Sequence, residues 1–366
     1  MNLPQTHRTL LLTSRDQPPT ITQQPTPQPT PGSITLRVLA SGVVSYSSDV
    51  FTGRRPYPFP TPLIPGVSCI ARVAATGPDT TSLKPNDLVF LDPTIHARDN
   101  PAYAMLIGLH AGYNDVSPQL MEGEWRNGTW AEYVRVPLEN VCKLNEGRLL
   151  GELGYTVEQL DLISALVVPY GGLDDIGLKA GETIVIAPAT GNFGGAAVTV
   201  ALAMGARVVA MGRDAAKLEK LRERDPGRIQ TVAVSGDVKK DTEAIKAAYG
   251  GEVDAYFDIS PPQATQSTHF KSCIMALRHS GRVSLMGGVY GDVGLPLAWI
   301  MHNNITVRGT WMFTREQRER FVKMLEGGLL QLKDWEVKRF ALEEWKEAWE
   351  FAEREGGTGK MAVFCP

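Results

Sequence analysis

Short apolar runs broken by proline and glycine dominate the first part of the chain, and a strand-then-helix periodicity dominates the middle. Residues 9–13 and 33–44 read as strands, and the Pro/Gln/Thr-rich stretch over 17–32 predicts a long connection between them. Further strand signals fall at 68–75, 87–91 and 130–136, whereas 92–125 predicts an irregular excursion. A β-rich first domain is expected.

After Gly154 the pattern changes, with Thr156 placed as an N-cap and helix start. Strands are expected at 183–187, 207–211, 231–234, 255–259, 282–286 and 305–309, alternating with helices at 194–204, 215–223, 241–249 and 263–277. Such alternation predicts a parallel sheet covered by helices on both faces. From residue 315 to 355 the chain returns to helix, strand (337–341) and helix (343–354), and it closes on a strand-like run at 361–364.

The 366 residues, 43% hydrophobic and 21% charged with 36 Gly, favour a globular protein of about two domains. With 37 basic against 40 acidic residues there is no basic excess for nucleic acid or an anionic membrane, so a small-molecule substrate is the expected partner. Cys69, Cys142, Cys273 and Cys365 lie far apart without metal-ligand spacing, which argues against a disulfide framework or zinc ribbon. The apolar run at 10–12 is too short for a signal-peptide core and no stretch of about 20 apolar residues follows, so a cytoplasmic protein is expected.

Between the strand at 183–187 and the helix after it stands Ala187-Pro-Ala-Thr-Gly-Asn-Phe-Gly-Gly, an A-x-G-x-x-G form of the dinucleotide fingerprint over Ala189, Gly191 and Gly194. Thr190, Asn192 and Phe193 complete this turn, and the helix start near Asn192 would aim free N–H groups at a pyrophosphate. At the end of the next strand, where an acidic residue would read an unmodified ribose, the chain has Gly212 and Arg213. Room plus a planar cation favours the 2'-phosphate of NADPH (NADP+), with Lys217 one helical turn on. Asp214 is either a shifted ribose ligand or the N-cap of the helix from Ala215.

In collinear order the chain carries Arg37-Val-Leu-Ala-Ser-Gly-Val, Leu63-Ile-Pro-Gly, Leu83-Lys-Pro-Asn-Asp-Leu-Val, Gly128-Thr-Trp-Ala-Glu-Tyr-Val and Leu178-Lys-Ala-Gly-Glu-Thr-Ile-Val-Ile. This order resembles the medium-chain dehydrogenase/reductase superfamily over nearly the whole chain. The resemblance implies an α/β protein: a GroES-like β-rich catalytic domain plus a Rossmann domain with a doubly wound parallel sheet, the active site in the cleft between them. It implies bounds of 1–155 for the catalytic domain, 156–311 for the NADP-binding domain and 312–366 for a segment returning to the first. A homodimer is the oligomer it suggests.

The family's zinc branch carries ligands in G-x-C and P-G-H-E segments, where this chain has Gly42-Val-Val44 and Pro65-Gly66-Val67-Ser68; the later cysteine position falls near Val168-Pro169-Tyr170. No metal is therefore expected. By the same resemblance Tyr46 takes the place of the hydroxyl proton relay and Asp49 that of the relay histidine. Tyr46 alternatively lines an apolar pocket, with Asp49 capping a helix from about Val50. Tyr57, soon after Gly53, is the second candidate donor. Gly287, Gly288 and Val289 resemble the segment that meets the nicotinamide carboxamide, Ser260 ends a strand facing the cofactor crevice, and 311–313 resembles a segment near the domain junction. His96 and His110, in the excursion, are candidates for the substrate border.

The function this implies is zinc-independent, NADPH-dependent reduction of an activated C=C in an enone, enoyl thioester or quinone, with Tyr46 as proton donor. The alternatives are a zinc-free NADP(H)-dependent alcohol dehydrogenase or ketone reductase, and a non-catalytic NADPH-binding protein.

Overall fold

The computed structural model describes residues 3–356 and 359–366; the first two residues of the N-terminal segment and residues 357–358 of the C-terminal segment lie outside the described residues. Two compact units divide the chain, one built from Met1–Ser164, Leu332–Gly356 and Lys360–Pro366, the other mainly from Ala165–Gln331.

In the first unit the organising element is the strand Ser33–Val43, buried at nearly every position. It pairs antiparallel with Cys69–Thr76, Tyr133–Pro137 and the C-terminal strand Lys360–Phe364. The sheet runs on through Leu88–Leu91 and Val141–Lys143 on one side and Glu336–Phe340 on the other. An aromatic core fills it: Trp130 packs against Phe51 (ring centroids 5.4 Å apart) and Phe364 (5.1 Å), and Phe51 stacks on Trp349 at 5.9 Å. Edge-on and offset contacts of this kind add to the large apolar area each ring removes from water.

The Gly-Thr-Trp-Ala-Glu-Tyr-Val segment owes its glycine to crowding. A β-carbon on Gly128 would overlap the carbonyl oxygen of Gly66, while the Gly128 N–H donates to Ile64 O at 2.7 Å. Thr129 Oγ1 then reaches Ser68 O at 3.1 Å, and Trp130, 1% exposed, enters the core.

The stretch expected as a long connection is partly a strand. Thr20–Pro25 pairs antiparallel with Thr6–Leu11 over six residue pairs, and Thr9 Oγ1 meets Thr22 Oγ1 at 3.0 Å. Prolines confined to its flanks and to its last residue leave the pairing N–H groups intact, so polar composition did not prevent pairing. The excursion 92–125 also contains structure: a short hairpin of Thr94–His96 with Ala104–Leu106, then a helix Pro118–Glu122.

The second unit is a six-stranded, all-parallel sheet in the order Ile229–Ala233, Arg207–Gly212, Thr183–Ala187, Val253–Asp258, Leu277–Leu285, Thr306–Gly309. Numbered along the chain this is 3-2-1-4-5-6, the Rossmann order, whose direction reverses beside Thr183–Ala187. That strand is buried at all five positions and the Ala-rich helix Asn192–Ala203 follows it. The helix expected over 263–277 is instead a short turn at Pro262–Ala264 and a helix His269–Met275, after which Leu277 opens the next strand. The helix Arg315–Glu326 belongs to this unit, so the units divide later in the chain than the expected bounds at 155 and 311. Its Gln317 side chain donates to Gly171 O at 3.1 Å, and Phe321 meets Tyr170 at 5.5 Å, which ties it to the helix Ile163–Asp175. No helix among the described residues is long and apolar enough to cross a membrane.

Candidate functional site

In the second unit the turn after Thr183–Ala187 has the features a dinucleotide requires. Gly191 is the N-cap of the following helix and offers no side-chain acceptor to its first N–H groups. The next two helices differ: Asp214 accepts from Lys217 N at 3.1 Å and Asp237 from Lys240 N at 3.0 Å. Free N–H groups and the positive end of a twelve-residue helix remain to receive an anion. The two glycines divide the work. A β-carbon on Gly194 would overlap Pro188 O, so this glycine permits helix and strand to pack closely, whereas one on Gly191 would meet nothing within 4 Å. Ala189 is held by its N–H to Met211 O at 2.8 Å. Thr190, Asn192 and Phe193 are half-buried around the turn.

At the end of Arg207–Gly212 a β-carbon on Gly212 would lie 3.4 Å from the Thr190 side chain, so glycine leaves the space beside the turn open. Arg213 and Lys217 are exposed, and neither side chain pairs with a carboxylate among the described residues. Asp214 caps the helix from Ala215, its carboxylate accepting from Lys217 N.

Ser260 is 2% exposed, and its hydroxyl serves a buried network: Oγ donates to Asp258 Oδ1 at 2.6 Å and lies 2.9 Å from His269 Nε2, while Tyr256 OH donates to Asp258 Oδ1 at 3.2 Å. Its backbone carries the neighbouring turn, since Gly288 N–H donates to Ser260 O at 3.0 Å. A β-carbon on Gly287 would come within 2.7 Å of Ser260 N. Gly287 and Gly288 thus pack against the Ser260 backbone, with Val289 next in the turn. His269 is a buried histidine satisfied on both ring nitrogens, by Ser267 Oγ at 2.5 Å on Nδ1 and by Ser260 and Asp258 on Nε2.

In the first unit Tyr46 and Tyr57 come together, ring centroids 6.1 Å apart at 70°. Two residues that the sequence reading had not joined to them complete the cluster. The Arg55 guanidinium carbon stands 4.1 Å over the Tyr46 ring and 4.6 Å from the Tyr57 centroid. His110, 2% exposed, packs 4.5 Å edge-on to Tyr57 and 4.3 Å from Tyr113. His96 is elsewhere, exposed on the hairpin, its Nδ1 2.7 Å from Pro101 O.

Burial raises the Tyr46 phenol above its ordinary pKa, with the Arg55 cation and the Tyr57 hydroxyl pulling the other way. Burial, then Arg55, lowers His110 to about 4, so its ring is neutral at pH 7. The His110 Nδ1 accepts the Gly112 N–H at 2.9 Å, which places the ring proton on Nε2. Asp49 lies in the first turn of a short helix Ser47–Phe51 whose N-cap is Tyr46, not Asp49. Its carboxylate pairs with Arg54 Nε at 2.6 Å at the surface.

Around the positions where the zinc branch has ligands, Val44 and Val67 offer no lone pair, and Ser68 is buried with its carbonyl accepting from Ser41 and Thr129. Among the described residues no three His, Cys, Asp or Glu side chains gather as a metal site. The nearby acid is Asp161, fully buried against Gly42, with both oxygens lacking a hydrogen-bond partner. Burial drives its pKa well above the usual carboxylate range. A carboxyl whose folded pKa is raised stabilises fully below its unfolded value, about 4, and that contribution is lost as pH rises through the folded one. Asp161→Asn is therefore expected to raise stability at pH 7 by roughly 1–3 kcal/mol. Urea unfolding at pH 4, 7 and 9 should show a smaller loss with rising pH in the variant; equal slopes would contradict this.

The alcohol dehydrogenase GroES-like domain model matches residues 30–146, and the zinc-binding dehydrogenase model matches residues 193–327. An alcohol dehydrogenase of Rhizobium meliloti (strain 1021) is 28% identical over 313 residues, covering 85% of this chain and 86% of that protein. A short chain alcohol dehydrogenase from E. coli CFT073, complexed with NADH, superposes with a TM-score of 0.78 at 16% identity over 99% of this chain and 100% of that one. Crotonyl-CoA carboxylase/reductase superposes with a TM-score of 0.80 at 14% identity, over 99% of this chain and 89% of that one. At such identities the structures speak for the fold, and the two domain models, falling in order on the GroES-like and Rossmann units, speak for descent. With the 3-2-1-4-5-6 sheet and its glycine turn, they place the chain in the medium-chain dehydrogenase/reductase superfamily of oxidoreductases.

Proposed function

We propose that the protein reduces the activated C=C of a small hydrophobic enone, enoyl thioester or quinone with NADPH, without zinc, and that Tyr46 is the proton donor. The observation that carries this reading is the first unit's side-chain chemistry: valines stand where the zinc branch has ligands, and two residues after Val44 a phenol is held protonated in an aromatic cluster. Conjugation delocalises the incoming negative charge, so such a substrate needs a placed hydrogen-bond donor more than a Lewis acid.

The Gly191 turn and its helix N-terminus would hold the pyrophosphate, and Gly212 with Arg213 and Lys217 the 2'-phosphate of the adenosine ribose. The NADH-bound relative supports a nicotinamide coenzyme. When bound, the reduced nicotinamide supplies hydride. Tyr46 then delivers its proton to the substrate enolate, and the resulting tyrosinate, eased by the Tyr57 hydroxyl and the nearby cation, recovers a proton from solvent. His110, neutral and already holding Gly112, stays uncharged through the cycle.

Loss of NADPH absorbance, measured with chelator present against a matched enone, quinone and saturated ketone, tests the reading. Turnover with the enone or quinone alone is the expected result. Turnover with the ketone alone would favour the second reading, a zinc-free ketone reductase, to which the alcohol dehydrogenase relative lends support. Binding of NADPH without turnover of any acceptor would point to a non-catalytic role. For coenzyme choice, Arg213→Ala is expected to raise KM for NADPH about 10- to 100-fold and leave that for NADH nearly unchanged, the scale of a lost charge-assisted contact. Equal changes for both coenzymes would contradict the assignment of Arg213.

A further inference from the structure

We propose that Arg55 is the receptor for a carboxylate on the substrate, which narrows the proposed class from hydrophobic enones, thioesters and quinones at large to a conjugated carbonyl compound bearing a monoanionic acid group. The inference rests on the reading of the Tyr46–Tyr57 cluster as the substrate site.

Three observations lead to it. Arg55 is half-buried, with its Cζ over the Tyr46 ring at 4.1 Å and 4.6 Å from the Tyr57 centroid. Its Nε is buried without any hydrogen-bond partner, and no carboxylate pairs with the side chain among the described residues. The neighbouring cations are treated differently: Arg54 is bound to Asp49 at 2.6 Å and to Ser48 Oγ at 2.9 Å, and an Arg15 Nη donates to Tyr57 O at 2.7 Å.

Aromatic faces hold a guanidinium in place but satisfy none of its five N–H donors. Here Nε is the donor buried without a partner; leaving it unmet is costly, and a planar acceptor that engages it together with a neighbouring Nη converts that cost into binding. The fork geometry suits carboxylate and phosphate alike. Charge separates the two. Arg55 stands beside His110, neutral at pH 7, and the protonated Tyr46, and the other cation nearby, Arg15, is engaged with the Tyr57 carbonyl at 2.7 Å, so one free guanidinium balances a monoanion better than a phosphate dianion. A neutral carbonyl would accept one of these hydrogen bonds but leave the positive charge uncompensated.

The experiment titrates protein without coenzyme by calorimetry, using benzoate, benzamide and inorganic phosphate as probes, with wild type, Arg55→Met and Arg55→Lys. Benzoate is expected to bind wild type, to bind Arg55→Lys several-fold more weakly, and to lose at least about tenfold in affinity with Arg55→Met, while benzamide binds all three alike. Arg55→Lys keeps a cation over the rings, so its graded loss separates recognition from misfolding, and melting curves confirm that each variant is folded. In turnover, 4-oxopent-2-enoate should show a KM at least about tenfold below that of its methyl ester in wild type, a gap that closes in Arg55→Met. Equal benzoate affinity in wild type and Arg55→Met, or tighter phosphate than benzoate binding, overturns the proposal. The two readings fail separately: benzoate binding lost with Arg55 but no NADPH consumed would sink the reductase reading alone, and brisk turnover of neutral enones with no benzoate binding would sink only this one.

Discussion

Phenylalanine at position 46 should slow NADPH-dependent enone reduction by about 10²- to 10⁴-fold in kcat, the usual yield of a placed general acid, or roughly 3–5 kcal/mol of transition-state stabilisation. The substitution removes one oxygen and keeps the ring that packs against Tyr57 and supports Arg55, so the cluster should survive. KM should move little, because the lost interaction matters when charge develops on the substrate. Tyr57→Phe is expected to cost far less, since that hydroxyl acts on Tyr46 rather than on substrate in this scheme. Burial raises the Tyr46 pKa, so the acid is loaded at neutral pH and the wild-type rate should fall only on the alkaline side. A Tyr46→Phe enzyme with full kcat and the same solvent isotope effect would falsify the assignment and leave proton delivery to water or to Tyr57.

Alanine substitution of the two fingerprint glycines should separate folding from coenzyme binding. Gly194→Ala forces a methyl group into the Pro188 carbonyl oxygen, backbone against backbone, and should destabilise the second unit by a few kcal/mol, at the scale of overpacking in a close-packed core. Gly191→Ala meets open space in the protein alone and has a φ of −80°, which any L-residue adopts, so its melting temperature should equal that of wild type. Its methyl group nevertheless enters the space a pyrophosphate needs, and NADPH affinity should fall by about 10-fold or more. Thermal melts without coenzyme and fluorescence titration with NADPH give the two readouts. If Gly191→Ala bound NADPH as wild type does, the phosphate would not approach the turn at that residue.

Much of this protein is written locally. Period-two and period-3.6 patterns placed most strands and helices of the second unit within a few residues, because its parallel strands are buried on both faces and read as unbroken apolar runs. The fingerprint was legible because each of its residues acts through its own backbone: Gly191 by leaving space, Gly194 by close packing and Gly212 by having no side chain.

What the sequence could not show were contacts between distant residues. Thr20–Pro25 looks like a connecting loop until Thr6–Leu11 supplies its hydrogen bonds. Asp49, the candidate relay, carries no sequence mark of the surface ion pair it makes with Arg54. Asp161 carries no sequence mark of the unpaired, fully buried acid that the first unit's packing makes of it. The gathering of Tyr46, Arg55 and Tyr57 with His110 depends on an excursion that seemed irregular, because hydrogen bonding, desolvation and charge act through space, and only the tertiary fold sets which groups are near enough to feel them.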